Sequence, residues 1–200
     1  MAGTTPQTYR IAVLTSGMSR GSNLRAIHRY FRDHQIPVKI SFVLITRKSA
    51  PVADFCRSEG LAVEFASSLD QAAFEARIQD LVKSYKPHLL VLAGFMKKLS
   101  AACLDTMSIP ALNIHPALLP KYGGQGFYGS RVHEAVFAAG EEVSGVSIHL
   151  VDPEYDHGRI ISQAEVDISD CQSAAEIGQK VLELEHRFYA PTIYSFLCSR

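Results

Sequence analysis

"YRIAVLTSGMSRGSNLRAI", residues 9–27, reads as a strand, a glycine-rich loop and the start of a helix. Residues 9–15 form a near-continuous apolar run, the pattern of a strand buried on both faces. Gly17 and Gly21 permit positive φ and a close backbone approach in the loop. Ser22 and Asn23 stand where the helix begins, among N–H groups at the positive end of its dipole. The loop is not a P-loop, because no G-K-[ST] follows, and G-x-G-x-x-G is missing too. It reads equally as an anion site or as a plain βα turn with a Ser/Asn cap. In an α/β sheet, ligands bind at strand carboxyl ends, which is where such a loop lies.

Further along, apolar runs recur at 38–46, 62–66, 88–95, 110–115, 143–151 and 159–168. Helical patterns lie between the early ones, at about 22–33, 50–59 and 70–85. Strands alternating with helices predict an α/β domain. Its sheet is mostly parallel and twisted, with helices on both faces, in a Rossmann-like arrangement. After residue 110 the rhythm changes: a loop over 116–129 and a helix over about 130–139 precede two strands close in sequence. These last strands are expected to join antiparallel. The chain closes with a helix over about 173–197, opened by a capping box, Ser173 with Glu176. Ile177, Val181, Leu184 and Phe188 make its apolar stripe, and Pro191 is expected to kink or break it.

Two hundred residues suit one domain with a core of its own. Twenty basic and twenty acidic residues cancel, and no basic stripe stands out, which argues against nucleic acid as a partner. Cys56, Cys103, Cys171 and Cys198 are scattered with no C-x-x-C and no zinc spacing, so free thiols in a reducing compartment are expected. "MAGTTPQTYR" lacks the apolar core of a signal peptide, and no run approaches the roughly 20 apolar residues of a membrane span. The expectation is a cytoplasmic protein.

"NIHPALLPKY", residues 113–122, ends the fifth run with an amide and an imidazole two residues apart. Residues i and i+2 of a strand share a face, so Asn113 and His115 point together while Leu112 and Ile114 point into apolar packing. Pro116 ends the strand. An amide N–H₂ can donate to a developing oxyanion, and an imidazole can carry a proton near neutrality. The bland alternative is a satisfied core histidine beside a capping asparagine. In "VDPEYDHGR", Asp152, Glu154 and Asp156 occupy a turn, and any of them could orient the imidazole.

Four stretches together resemble the glycinamide ribonucleotide formyltransferases: N-x-H-P-x-L-L-P at 113–120, D-x-G at 156–158, "VLAGFMKKLS" at 91–100 and "GSNLRAI" at 21–27. The first two are shared with the wider folate-dependent formyltransferase group, and the likeness runs from Ile11 to about Leu197. The resemblance implies a formyltransferase fold and transfer of the formyl group of the co-substrate 10-formyltetrahydrofolate to the amine of glycinamide ribonucleotide, in purine (IMP) biosynthesis. By motif, Asn113, His115 and Asp156 match the family's catalytic Asn, His and Asp. Gly21, Ser22 and Asn23 match the loop that holds the substrate phosphate, and Glu185 matches an acid that contacts the ribose. Met96, Lys97, Lys98 and Leu99, with Glu154 and Tyr155 of the 153–157 loop, match the folate-facing wall. Asn113 and His115 would stabilise a tetrahedral intermediate, Asp156 would orient the imidazole and relay protons, and no metal is expected. The implied partners are these two small molecules, with no nucleic acid and no membrane, in a monomer or homodimer. On this reading residues 1–200 are a single domain. Residues 1–8 are a flexible tail, 9–110 a phosphate- and nucleotide-binding half, and 111–200 a catalytic and folate-binding half.

The chain departs from the family at "SGMSRGSN", which is longer than the common form, at Lys97–Lys98, and at the glycine-rich "YGGQGFYG" of residues 122–129. His157 takes a position that is often small and is expected to face solvent, while His133 and His149 read as structural. The alternatives are a formyltransferase acting on a sugar-nucleotide amine, a formyltetrahydrofolate hydrolase, a folate-binding module without turnover, and a metal hydrolase built on His115, His149 and Asp156.

Overall fold

Alternate residues of the first strand feed two separate cores. Ile11 and Val13 pack on one face of the sheet, Ala12 and Leu14 on the other, and all four are fully buried. A computed structural model describes residues 7–16 and 20–200. Most of the expected tail, residues 1–6, and the Gly17 share of the first loop lie outside the described residues. Among the described residues the strands are β1 (Tyr9–Thr15), β2 (Val38–Ile45), β3 (Val63–Phe65), β4 (Leu89–Leu92), β5 (Ala111–His115), β6 (Val143–Leu150) and β7 (Ile160–Asp167). The helices are α1 (Ser22–Asp33), α2 (Val52–Ser58), α3 (Gln71–Tyr85), α4 (Ala101–Met107), α5 (Ser130–Ala138) and α6 (Ala174–Cys198).

One sheet holds all seven strands in the order β3-β2-β1-β4-β5-β6-β7. The first five strands are parallel, and β6 and β7 join antiparallel, as the sequence rhythm predicts. Helices α1, α2, α5 and α6 supply one core, and α3 with α4 the other. The chain leaves β1 toward β2 on one side, while β4 pairs on the other, so β1 and β4 flank a topological switch point. The N–H of Ser16 donates to the carbonyl of Gly94 at 3.1 Å, tying the two loops together at that point.

Local chemistry sets the helix ends. Asp70 caps α3 by accepting from the N–H of Ala73, and Phe74, Ile78, Leu81 and Val82 give the helix one buried stripe. Ser173 caps α6 by accepting from the N–H of Glu176, while the Glu176 carboxylate reaches back to the N–H of Gln172 at 2.8 Å. The helix runs on through Pro191 to Cys198 rather than breaking there. Its central anchor is Tyr189, fully buried, whose hydroxyl lies 3.0 Å from the carbonyl of Leu92 and 2.9 Å from that of Leu112. The sequence pattern gives no sign of α4, a helix of 7 residues whose cap is Ser100.

Candidate active site

Asn113 and His115 lie on the α3/α4 face of β5, opposite Leu112 and Ile114, as alternation requires. His115 is only 3% exposed. Its Nε2–H donates to the carbonyl of Tyr122 at 2.7 Å, which turns Nδ1 toward Asp156 Oδ2 at 3.4 Å. Among the three candidate carboxylates, Asp156 is the one that reaches the imidazole. Asp152 instead accepts from the N–H of Glu154 at 2.8 Å and pairs with His157 Nδ1 at 3.2 Å, leaving His157 on the surface as expected. Asp156 also accepts from the N–H of Gly124 at 3.0 Å.

His149, read as structural, stands beside the Asn113 amide. The β5–β6 register sets it directly opposite Asn113, which no pattern within either strand reveals. Its Nδ1–H donates to the carbonyl of Leu150 at 2.9 Å, so Nε2 accepts from the Asn113 amide at 3.1 Å. The same Nε2 lies 3.5 Å from Asp156 Oδ1. Asn113, His149, Asp156 and His115 thus form one contact chain. One N–H of the Asn113 amide is spent on His149, and the other has no hydrogen-bond partner among the described residues.

Burial pushes His115 below its ordinary value, against the pull of the Asp156 carboxylate and the Tyr122 carbonyl. Burial also works against ionisation of Asp156. His149, His115 and the Gly124 N–H outweigh it and hold the carboxyl below the usual range. The site therefore pairs an ionised acid with a neutral imidazole that can take up a proton. Both rings have one nitrogen committed to a backbone carbonyl, and among the described residues no group of three or more His, Cys, Asp or Glu could hold a metal ion.

The segment after β5 is clamped from the antiparallel strands. Ser147, fully buried, donates to the carbonyl of Ala117 at 2.7 Å and accepts from the N–H of Leu119 at 2.9 Å. Gln163 of β7 donates to the carbonyl of Leu119 at 3.0 Å and to Ser147 at 2.8 Å. Tyr122 and Asp156, which both touch His115, have φ of 57° without being glycine, a costly conformation for an L residue. Strain thus sits at the residues that hold the imidazole.

A second polar cluster opens at the start of α1. Gly21, at φ 71°, is its N-cap in the left-handed region, and a Cβ there would collide with Val52 Cγ2. No acidic residue stands in the first turn, so the positive end of the dipole is uncompensated. Asn23 Nδ2 donates to Glu185 Oε2 at 2.7 Å, joining residues 162 apart in the chain. Asn23 Oδ1 is buried with no partner. Glu185 is 7% exposed, and burial pushes its carboxyl up to about 7, the Asn23 amide opposing that rise. Beside it a cleft of about 500 Å³ runs between α5 and α6, lined by Pro116, His133, Gly178 and Glu185 among others. His133, read as structural, borders this cleft with its buried Nδ1 unpartnered.

Two further segments approach each other across the site. Met96 is 45% exposed and Leu99 buried, with Lys97 and Lys98 on the surface between them. Lys98 Nζ lies 5.5 Å above the Tyr155 ring, which is itself 44% exposed. The 96–99 and 153–157 segments, matched separately by motif, therefore meet. Glu154 is exposed beside them.

A doubly wound sheet with amide, imidazole and carboxylate groups gathered beyond its strand ends defines an α/β protein that works on small molecules between its loops. The chain belongs to the formyl transferase family, whose model matches residues 9–193. It is 34% identical to Escherichia coli phosphoribosylglycinamide formyltransferase, over 95% of this chain and 88% of that protein. It is 32% identical to the chloroplastic enzyme of that name from Arabidopsis thaliana, over 94% of this chain but 65% of that protein. The chain thus spans about two thirds of the length of its chloroplastic relatives. Among solved structures, glycinamide ribonucleotide transformylase 1 from Symbiobacterium toebii superposes with a TM-score of 0.87 at 29% identity, covering 98% of this chain and 91% of that one. No helix among the described residues is long and apolar enough to cross a membrane.

Proposed function

We propose that this protein transfers the formyl group of 10-formyltetrahydrofolate to the amine of glycinamide ribonucleotide, a step of purine biosynthesis. The observation that carries the reading is the contact chain Asn113–His149–Asp156–His115 at the end of β5, in a member of the formyl transferase family. The names of the relatives indicate the acceptor.

The amine nitrogen attacks the formyl carbon as a free base, and the formyl oxygen gains negative charge. The uncommitted N–H of Asn113 and the Nε2–H of His115 donate to that oxygen, the latter exchanging its present acceptor, the Tyr122 carbonyl. Asp156 faces Nδ1 and stabilises the imidazole in its protonated form. The bond from the formyl carbon to N10 of the folate then breaks. The proton lost by the attacking amine passes, through His115 or a water held by Asp156, to the departing N10. The products are the formamide and tetrahydrofolate, and atoms balance without a further reactant.

The first turn of α1 with Gly21, Ser22 and Asn23 receives the phosphate, whose charge suits the positive end of a helix dipole with no acidic residue in its first turn. Glu185 and the unpartnered Asn23 Oδ1 receive the ribose hydroxyls. Met96 to Leu99, with Glu154 and Tyr155, line the folate side. Incubation with donor and amine, followed by mass spectrometry, tests the reading. Growth of the formylated amine in step with tetrahydrofolate supports it, and free formate as the product would make the protein a hydrolase instead.

A further inference from the structure

Residues 95–100 run from β4 to α4 with no regular secondary structure. Among the described residues, the backbone N–H groups of Met96, Lys97, Lys98 and Leu99 have no intramolecular partner. What holds this segment is α3. Glu75 Oε1 accepts from the N–H of Ser100 at 2.7 Å, and Glu75 Oε2 accepts from the Ser100 hydroxyl at 2.6 Å. The hydroxyl in turn accepts from the N–H of Cys103, capping α4. One turn earlier, Gln71 Nε2 donates to the carbonyl of Lys98 at 2.9 Å and to Glu75 at 2.7 Å.

We propose that Glu75, with Gln71, is a positioning residue for the formyl donor: it fixes the 96–99 backbone from behind so that its open N–H groups face the donor's planar amide-bearing ring. The inference rests on the reading of 96–99 as the folate side. Its geometry is two-pronged, with one carboxylate anchoring both the amide and the hydroxyl of Ser100, and the Gln71 amide anchoring the carbonyl two residues before. Burial disfavours the Glu75 carboxylate, but the Ser100 hydroxyl, the Ser100 N–H and Gln71 outweigh it and hold the group below its ordinary value. The anchor is therefore ionised at neutral pH. Neither side chain hydrogen-bonds to Asn113, His115, Asp156 or Glu185 among the described residues, so the clamp reaches the 96–99 segment without passing through them.

The test compares Glu75→Gln, Gln71→Ala and Met96→Ser for KM of each substrate, kcat and melting temperature. Glu75→Gln keeps the shape and removes one accepting oxygen. The clamp predicts a donor KM raised on the order of 10-fold in Glu75→Gln and more modestly in Gln71→Ala, with amine KM unchanged and kcat within about twofold. Restoring the acid as Glu75→Asp in the Gln71 background should recover part of the donor affinity. A donor KM that moves in Met96→Ser but not in Glu75→Gln overturns the clamp and leaves the folate side standing. Donor KM unmoved in all three variants overturns the folate-side reading and the clamp with it. A lower melting temperature with both KM values intact reduces Glu75 to a helix-capping role and also overturns the proposal.

Discussion

Glu185 is a carboxyl group placed where its charge is expensive. Its 7% exposure and single hydrogen bond from Asn23 leave it with a proton up to about pH 7, against an ordinary value of 4.5. Below 4.5 the folded and unfolded chains both hold the proton. Between 4.5 and about 7 the folded chain keeps a proton that the unfolded chain has lost, so stability falls as pH rises. The whole window is worth about 3 kcal/mol. Glu185→Gln should be free of this loss, gaining on the parent by up to that amount between pH 5 and pH 8 in urea unfolding; an equal pH slope in both proteins would contradict the burial argument. At this scale the sequence was partly legible. Asn113, His115, Asn23 and Glu185 stand out by type, position or motif. Asp156 was separable from the other two carboxylates only through its D-x-G motif, and the contact of His149 with Asn113 needed the β5–β6 register.

At the scale of elements, β5 and α6 determine the site. Helix α6 carries Glu185 on the same face as its apolar stripe, and Tyr189 one turn later fixes its height by reaching carbonyls of both β4 and β5. Tyr189→Phe leaves those carbonyls short of a donor in a dry core. The cost should be about 1–3 kcal/mol, read as a lower urea midpoint with an unchanged m-value. A wild-type midpoint would show that the hydroxyl does not hold the helix. Elements with a long apolar period or a cap were legible at once: β1, α1, α3 and the start of α6 fall within about a residue of their expected bounds. Helix α4 was not among the expected helices. Pro191 was expected to disturb α6, yet the helix continues on both sides of it, held by packing against the sheet.

Across the whole molecule, the sheet order brings together residues that the sequence keeps far apart. The switch point sets the loops after β1 and β4 side by side, and the antiparallel return through β6 and β7 folds the 151–158 loop back over the end of β5. On the proposed reading, the first turn of α1, the amide–imidazole pair and the 96–99 segment thus serve one two-substrate site. The central claim is that Asn113 and His115 stabilise charge on the formyl oxygen during transfer to an amine. The most direct measurement is steady-state donor consumption, with and without glycinamide ribonucleotide, for the parent protein and for Asn113→Ala. The account predicts consumption only when the amine is present, and a kcat lowered by about 100- to 1000-fold in the variant with KM values changed little. Near-parental kcat in Asn113→Ala, or donor consumption at the same rate without the amine, would contradict it.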